Sequence, residues 1–202
     1  MRVNVVGRDY GIINMFLRNG WEVVGPLEDA DLIQFVGGED VDPALYNETR
    51  HAATFSNPAR DSIEAKIFYD NVGHTPVAGI CRGGQLLNVL CGGKMWQHVN
   101  NHALQGTHEA TNLIGGEVLR VTSTHHQMMI PHASARVLLI ADVATSKERP
   151  VYSEVGKKSD DIEALFYEEQ KVLCFQPHPE YLAVGSDCQS LYFDYLRNFL
   201  LV

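Results

Sequence analysis

Basic runs and long apolar stretches are both missing from this sequence. Its 16 lysines and arginines are scattered among 25 acidic residues, and the only adjacent basic pair is Lys157-Lys158. A net charge of −9 without a basic run argues against nucleic acid or an anionic membrane as a main partner. No apolar stretch approaches the length that a membrane-spanning helix requires.

Cysteine and targeting signals are also sparse. The four cysteines show neither Cys-x-x-Cys spacing nor the density of a disulfide framework. Residues 1–6 are too few and too quickly polar for a secretory signal. We therefore expect reduced thiols and a cytoplasmic location. Because 202 residues without an internal repeat or a linker suit one core, we expect a single catalytic domain over residues 1–202.

The pattern of apolar residues alternates between short strands and helices. Strands are predicted at 1–6, 21–24, 31–36, 76–80, 117–122 and 136–141, a hairpin at 162–176, and helices at 10–19, from 61, at 85–90 and at 190–201. Asp61 followed by Glu64 resembles a capping box, and residues 43–58 and 94–116 lack periodicity and are predicted to be loops. The predicted fold class is α/β, a three-layer sandwich with a central, mostly parallel sheet and helices on both faces.

The chain is organised around residues 76–85, where an apolar strand meets Cys81 between glycines and continues as a helix. This is the pattern of a nucleophile elbow with cysteine in place of serine. A helix N-terminus favours the thiolate form of such a cysteine. The alternative is a core cysteine beside a glycine-rich turn.

A cysteine nucleophile needs a base and a group that orients the base. His178 lies between Pro177 and Pro179 at a predicted strand end, and Glu180 follows two residues later. Because ligands of open α/β sheets bind beyond the carboxyl ends of the strands, Cys81 and His178 could meet at one edge. The alternative for His178 is a solvated turn stiffened by prolines.

These segments resemble the class I glutamine amidotransferase superfamily, and most closely its γ-glutamyl hydrolase branch, which includes γ-glutamyl-GABA hydrolase. The matching motifs are Gly-Ile-Cys-Arg-Gly-Gly-Gln at 79–85, His-Pro-Glu at 178–180, Val-Gly-Gly-Glu-Asp-Val-Asp-Pro-Ala-Leu-Tyr at 36–46, Arg-Asp-x-x-Glu at 60–64 and Ser-Thr-His-His-Gln at 123–127. Val36 stands where that branch has proline, and Thr122 and Thr124 replace its Asn and Phe.

The resemblance implies a set of roles for residues of this chain. Cys81 would be the nucleophile, His178 the general base and acid, and Glu180 the group that orients His178. The oxyanion hole would use backbone N–H groups of Arg82 and of Gly38 or Gly37. The glutamyl group would be held by Gln85, Ser123 and Thr124. From the residues alone, Gln85 could equally lie on a helix surface, and the Gly37-Gly38 pair could form a plain turn.

The nine histidines raise the question of a metal site. Adjacent residues of a strand point to opposite faces, so His125 and His126 would not ligate one ion, and neither His-Glu-x-x-His nor paired cysteines occur. The sequence therefore predicts no metal and no cofactor. We expect His126 or Gln127 instead to line the substrate pocket.

The resemblance implies a cysteine hydrolase that cleaves a γ-glutamyl amide bond through a thioester on Cys81. Such a protein would either release ammonia for a partner synthetase or act alone on γ-glutamyl conjugates. A third alternative is a binding module that retains the fold without turnover.

Overall fold

A computed structural model describes residues 1–103, 106–141, 143–150, 152–158 and 161–201. Its centre is a nine-stranded mixed sheet with the order β2-β1-β3-β4-β14-β13-β10-β7-β8. In chain order the strands are β1 (Arg2–Val6), β2 (Glu22–Val23), β3 (Leu32–Phe35), β4 (Val77–Ile80), β5 (Lys94–Trp96), β6 (His98–Val99), β7 (Thr107–Asn112), β8 (Val118–Thr122), β9 (Met128–Ile130), β10 (Arg136–Ala141), β11 (Ala144–Arg149), β12 (Tyr152–Lys158), β13 (Asp161–Tyr167) and β14 (Val172–Phe175).

The sheet has a parallel half and an antiparallel half. The strands β2, β1, β3, β4 and β14 pair in parallel. From β14 onward, β13, β10, β7 and β8 continue the sheet by antiparallel pairing. The β13–β14 pair is the predicted hairpin, because so short a turn cannot contain a crossover helix. Two small sheets, β12-β11-β6 and β5-β9, flank the antiparallel half.

Helices cover both faces of the sheet, as predicted. The helices are α1 (Tyr10–Arg18), α2 (Pro58–Asn71), α3 (Arg82–Leu90) and α4 (Asp187–Tyr195). Side chains of α1 and α4 share one apolar cluster, and side chains of α2 and α3 share the other. Strand β14 contributes to both clusters, because successive residues of a strand point to opposite faces: Leu173 faces the first and Val172 the second. The α/β three-layer prediction is confirmed, but the sheet is mixed rather than mostly parallel, because four of its eight strand pairs are antiparallel.

Three local predictions were wrong. Helix α2 begins at Pro58 rather than Asp61, because Asn57 is its N-cap and its side chain accepts a hydrogen bond from the backbone of Arg60. Residues 94–116 contain β5, β6 and all of β7, and the polar composition of this stretch conceals short strands held by pairing. Within 43–58, Pro43–Tyr46 forms a turn of 3-10 helix.

The last helix also differs from its predicted bounds. It starts at Asp187, because the side chain of Ser186 caps it, and a π-helical segment, Leu196–Leu200, continues it. Among the described residues, no helix is long and apolar enough to cross a membrane.

Candidate active site

Cys81 occupies a strained turn between β4 and α3. Its φ of +52° and ψ of −115° lie in a region that residues other than glycine rarely adopt, at a cost of about 1–3 kcal/mol. The turn needs glycine on both sides: a Cβ atom on Gly79 would lie 2.3 Å from the backbone of Gly83, and one on Gly83 would lie 2.6 Å from the carbonyl oxygen of Phe35. The backbone N–H of Cys81 donates to the carbonyl of Phe175, 2.8 Å away, which ties the turn to β14.

The sheet register brings His178 to the same edge. Strands β4 and β14 are parallel neighbours with Ile80 opposite Phe175, so the residues after both strands leave the sheet together. Nδ1 of His178 lies 2.6 Å from Oε1 of Glu180. The Cys81 side chain also acts on this ring, because it contributes to raising the pKa of the imidazole. The structure thus joins Cys81, His178 and Glu180 in one chain of contacts.

Two further contacts fix the position of His178. Its backbone N–H donates to Oγ1 of Thr122 at 2.7 Å. Its ring stacks on that of Tyr181 with the centroids 4.3 Å apart and the planes nearly parallel. No pattern in the sequence predicts the stacking, and Thr122 is notable there only as a departure from the family motif.

The surroundings of His178 favour its protonated form. Burial lowers the pKa of this imidazole, but the hydrogen bonds to Cys81 and Glu180 outweigh burial and raise it to about 10. The side chain of His178 is only 8% exposed, so solvent screens these contacts weakly. An imidazolium beside Cys81 can give its proton to a leaving amine.

The Gly37-Gly38 pair lies directly against this constellation. A Cβ atom on Gly37 would be 2.9 Å from Cε1 of His178 and 3.8 Å from Cβ of Cys81. Gly38 has a φ of +139°, which favours glycine. Arg60 holds the pair from behind, because its Nη2 donates to the carbonyl of Gly37 at 2.9 Å. A cleft of about 480 Å³ opens beside Gly37, and Arg8 is part of its wall.

Arg82 contributes through both its backbone and its side chain. Its backbone N–H lies at the start of α3, where it has no intrahelical acceptor. Its guanidinium is buried and forms ion pairs with Asp61 and Glu64 of α2. Glu64 also accepts from Nε of Arg60 at 2.8 Å. The Arg-Asp-x-x-Glu motif therefore connects the elbow to the Gly37-Gly38 pair, a role that the capping-box prediction missed.

The predicted substrate-binding residues fall in different surroundings. Nε2 of Gln85 is buried and donates to Oε1 of Gln176 at 3.0 Å and to the carbonyl of Gln127 at 3.3 Å. Ser123 is buried and Thr124 is exposed, on the segment that follows β8.

His126 contacts Asp40 instead of the cysteine and histidine pair. Its Nε2 lies 3.0 Å from Oδ1 of Asp40, and this hydrogen bond raises the pKa of His126 against the effect of burial. No contact among the described residues joins it to Cys81 or His178. The structure brings together the predicted nucleophile, base, orienter and glycine pair, but leaves His126 outside that set.

Solved structures with the same fold are glutamine amidotransferases and related synthase components. A glutamine amidotransferase from Thermotoga maritima matches with a TM-score of 0.63 and 17% identity, over 100% of this chain and 88% of that chain. The PurLQS structure from the same organism has a TM-score of 0.63 and 18% identity, over 98% of both chains. A GMP synthase subunit from Thermoplasma acidophilum has a TM-score of 0.65 and 15% identity, over 99% and 92%. These likenesses define the class I glutamine amidotransferase fold.

Sequence relatives agree with that fold. The family model for Peptidase C26 matches residues 22–180, so the chain belongs to the Peptidase C26 family, and the resemblance drawn from its motifs is confirmed. The glutamine amidotransferase-like protein YvdE of Lactococcus lactis subsp. lactis is 31% identical over 160 residues, 74% of this chain and 66% of the relative. The glutamine amidotransferase Rv2859c of Mycobacterium tuberculosis is 38% identical over 88 residues, 43% and 29%. The chain therefore spans about two thirds or less of these curated relatives.

Proposed function

We propose that this chain is a cysteine hydrolase that cleaves the γ-glutamyl amide bond of glutamine, through a thioester on Cys81. The observation that supports it most directly is that Cys81, at a strained turn, lies beside His178, whose Nδ1 is hydrogen-bonded to Glu180. A buried imidazole oriented by a carboxylate is what a thiol nucleophile requires.

In the first half of the reaction, the thiol proton of Cys81 passes to His178, and Sγ attacks the amide carbon and forms an S–C bond. The carbonyl oxygen becomes an oxyanion, which backbone N–H groups of Arg82 and of Gly38 or Gly37 stabilise. Loss of one such donor typically lowers the rate by about 10²–10³-fold. When the C–N bond breaks, the proton of His178 passes to the nitrogen, and ammonia leaves.

In the second half, His178 accepts a proton from a water molecule as that water attacks the thioester carbon. The S–C bond breaks, glutamate leaves, and the proton on the imidazole restores the starting state. Gln85, Ser123 and Thr124 would bind the α-amino and carboxylate end of the glutamyl group. By analogy with the synthase components that share the fold, the ammonia would pass to a partner synthetase.

A second candidate is a free-standing hydrolase of γ-glutamyl conjugates such as γ-glutamyl-GABA. The cleft beside Gly37 supports it, because about 480 Å³ offers room for an amine larger than ammonia. Neither Cys81 nor His178 lines this cleft, and Gly37 is the lining residue that lies against both. Arg8 is exposed in the wall of this cleft and could bind an acidic group on that amine.

A turnover assay separates these functions. Ammonia released from glutamine and amine released from γ-glutamyl-GABA are measured for the wild type, for Cys81→Ala and for the matched control Cys91→Ala, which changes a cysteine outside the site. Glutamine turnover that needs an added synthetase supports the role of an ammonia-donating component, and conjugate turnover alone supports the free-standing hydrolase. No turnover of either substrate and no labelling of Cys81 by a glutamine-analogue electrophile would contradict both and leave a binding module.

A further inference from the structure

A second polar cluster lies in the antiparallel half of the sheet, away from Cys81. We define the histidine cluster as His102, His108, His125 and Glu163. Glu163 is completely buried in β13, and the three imidazoles converge on its carboxylate from β7 and from the segments before β7 and after β8. Oε1 of Glu163 lies 3.2 Å from Nδ1 of His102, 3.4 Å from Nε2 of His125 and 2.9 Å from Nε2 of His108.

The outer hydrogen bonds determine which ring nitrogens carry protons. Nδ1 of His125 lies 2.8 Å from the carbonyl oxygen of Gln127, which only accepts, so this nitrogen is the donor. Nε2 of His102 lies 2.8 Å from Oδ2 of Asp161 and donates to that carboxylate in the same way. In the neutral rings, the remaining nitrogens are therefore bare lone pairs, and both face the carboxylate of Glu163.

Lone pairs facing a carboxylate repel it unless something positive lies between them. The distances of 3.2 and 3.4 Å are longer than the roughly 2.7–2.9 Å of a charge-assisted hydrogen bond, and neither nitrogen makes a geometrically acceptable hydrogen bond to Glu163. Tetrahedral zinc, with bonds of about 2.0–2.1 Å, separates its ligand atoms by about 3.3 Å. Ligand atoms of His102, His125 and Glu163 all lie within 4.8 Å of one another.

Two buried carboxylates also lie close together here. Asp161 and Glu163 are both completely buried. Lys147 forms an ion pair with Asp161. Among the described residues, the ion-pair contacts of Glu163 are all with imidazoles. A buried carboxylate is costly unless it is paired or coordinates a metal, and an ion between the imidazoles and Glu163 would meet that need.

We propose that His102, His125 and Glu163 bind a divalent transition-metal ion, with zinc favoured by the two imidazoles and one carboxylate. His108 supports the carboxylate through the hydrogen bond between its Nε2 and Oε1 of Glu163. A hydrogen bond from each ligating imidazole to a carboxylate or backbone carbonyl is the arrangement that orients histidine ligands of metals. The alternative is a second proton on His102. That proton would satisfy the contact between His102 and Glu163 only, and His125 would still present its lone pair to the carboxylate.

The ion would anchor the segment after β8 to β13. This segment begins with Ser123. The residue before it, Thr122 at the end of β8, accepts a hydrogen bond from the backbone N–H of His178. The ligands come from three separate stretches of the chain, which is why a search for local spacing predicted no metal. The argument about adjacent histidines holds, since His125 faces Glu163 while His126 faces Asp40.

The test is metal analysis of tag-free protein. We expect about one zinc per chain by elemental analysis, and after removal by a chelator we expect Co²⁺ to restore binding with the absorption of a tetrahedral site that has no sulfur ligand. Cys81→Ser should retain the metal, which excludes an ion on the thiol and imidazole of the active site. The exposed control His74→Ala should also retain it.

Two variants probe the ligands directly. Glu163→Gln keeps the shape of the Glu163 side chain but removes its negative charge, and it should abolish stoichiometric zinc binding. Asp161→Asn should weaken zinc affinity by about 10–100-fold. Metal-free wild type that binds no Co²⁺ would overturn the proposal in favour of a protonated His102, whether or not the variants fold. Metal that disappears in Cys81→Ser would overturn it as well.

Discussion

The buried guanidinium of Arg82 offers the sharpest quantitative test of how the site is built. Its side chain is 1% exposed and forms ion pairs with Asp61 and Glu64, whose side chains are 2% and 4% exposed. In Arg82→Met a side chain of similar length remains, but both carboxylates lose a cation. Removing one partner from a buried ion pair typically costs about 3–5 kcal/mol of unfolding free energy.

The remaining partners and the pH refine this expectation. In the variant, Glu64 keeps its ion pair with Arg60. Asp61 keeps only the hydrogen bond from the backbone N–H of Asp42, so the loss of Arg82 affects Asp61 more. Burial already raises the pKa of Asp61 against the hydrogen bonds from Asp42 and Arg82, and removal of Arg82 raises it further. When the pKa of a carboxyl is higher in the folded state than in the unfolded state, the protein becomes less stable as the pH rises. The destabilisation by Arg82→Met should therefore be larger at about pH 8 than at about pH 5.

Urea unfolding of the wild type and the variant, followed by tryptophan fluorescence at both pH values, measures this difference. The matched control is Arg197→Met, which breaks an exposed ion pair with Asp194 and should cost no more than about 1 kcal/mol. Adding Asp61→Asn and Glu64→Gln to Arg82→Met should recover part of the loss. A cost below about 1 kcal/mol for Arg82→Met, or a smaller cost at the higher pH, would refute this reasoning.

Three further changes test the active-site geometry. Glu180→Gln should lower kcat by about 10²-fold or more. It should also move the high-pH limb of the rate profile to lower pH, because it removes one of the contacts that raise the pKa of His178 against its burial. An unchanged pH profile would count against an orienting role for Glu180. Gly37→Ala should lower kcat at least about tenfold, because its Cβ would lie 2.9 Å from Cε1 of His178, whereas Gly25→Ala, with open space around it, should leave kcat unchanged; equal effects would contradict the packing argument. Arg60→Met removes the hydrogen bond to the Gly37 carbonyl, and it should raise the activation free energy of the reaction by more than it lowers the free energy of unfolding. An unchanged kcat would show that the glycine pair needs no support from Arg60.

The sequence predicted the elbow and its partner histidine because both depend on local rules. A strand, a cysteine between glycines and a helix specify the turn, and parallel strands bring their carboxyl ends to one edge. Cys81 and His178 are therefore adjacent although 97 positions separate them in the chain. Residues 94–116 were mistaken for a loop, because strands two to six residues long with polar side chains have no readable period.

Charged residues were harder to interpret, because one pattern serves more than one physical purpose. Asp61 and Glu64 have the spacing of a helix cap, but in the structure they neutralise Arg82, and Asn57 is the cap. Likewise, nothing in the spacing of His102, His125 and Glu163 indicates that they meet. Long-range pairing of this kind is set by sheet topology, which becomes visible only when β7, β8 and β13 are placed.

The central claim is that Cys81 forms a covalent γ-glutamyl thioester. The most direct test is rapid acid quenching of the protein with glutamine or γ-glutamyl-GABA, followed by mass spectrometry of the cysteine peptides. We predict a γ-glutamyl adduct on the Cys81 peptide in the wild type and in Cys91→Ala, and none in Cys81→Ala. Turnover of either substrate with no adduct on Cys81, or an adduct that persists in Cys81→Ala, would contradict this account.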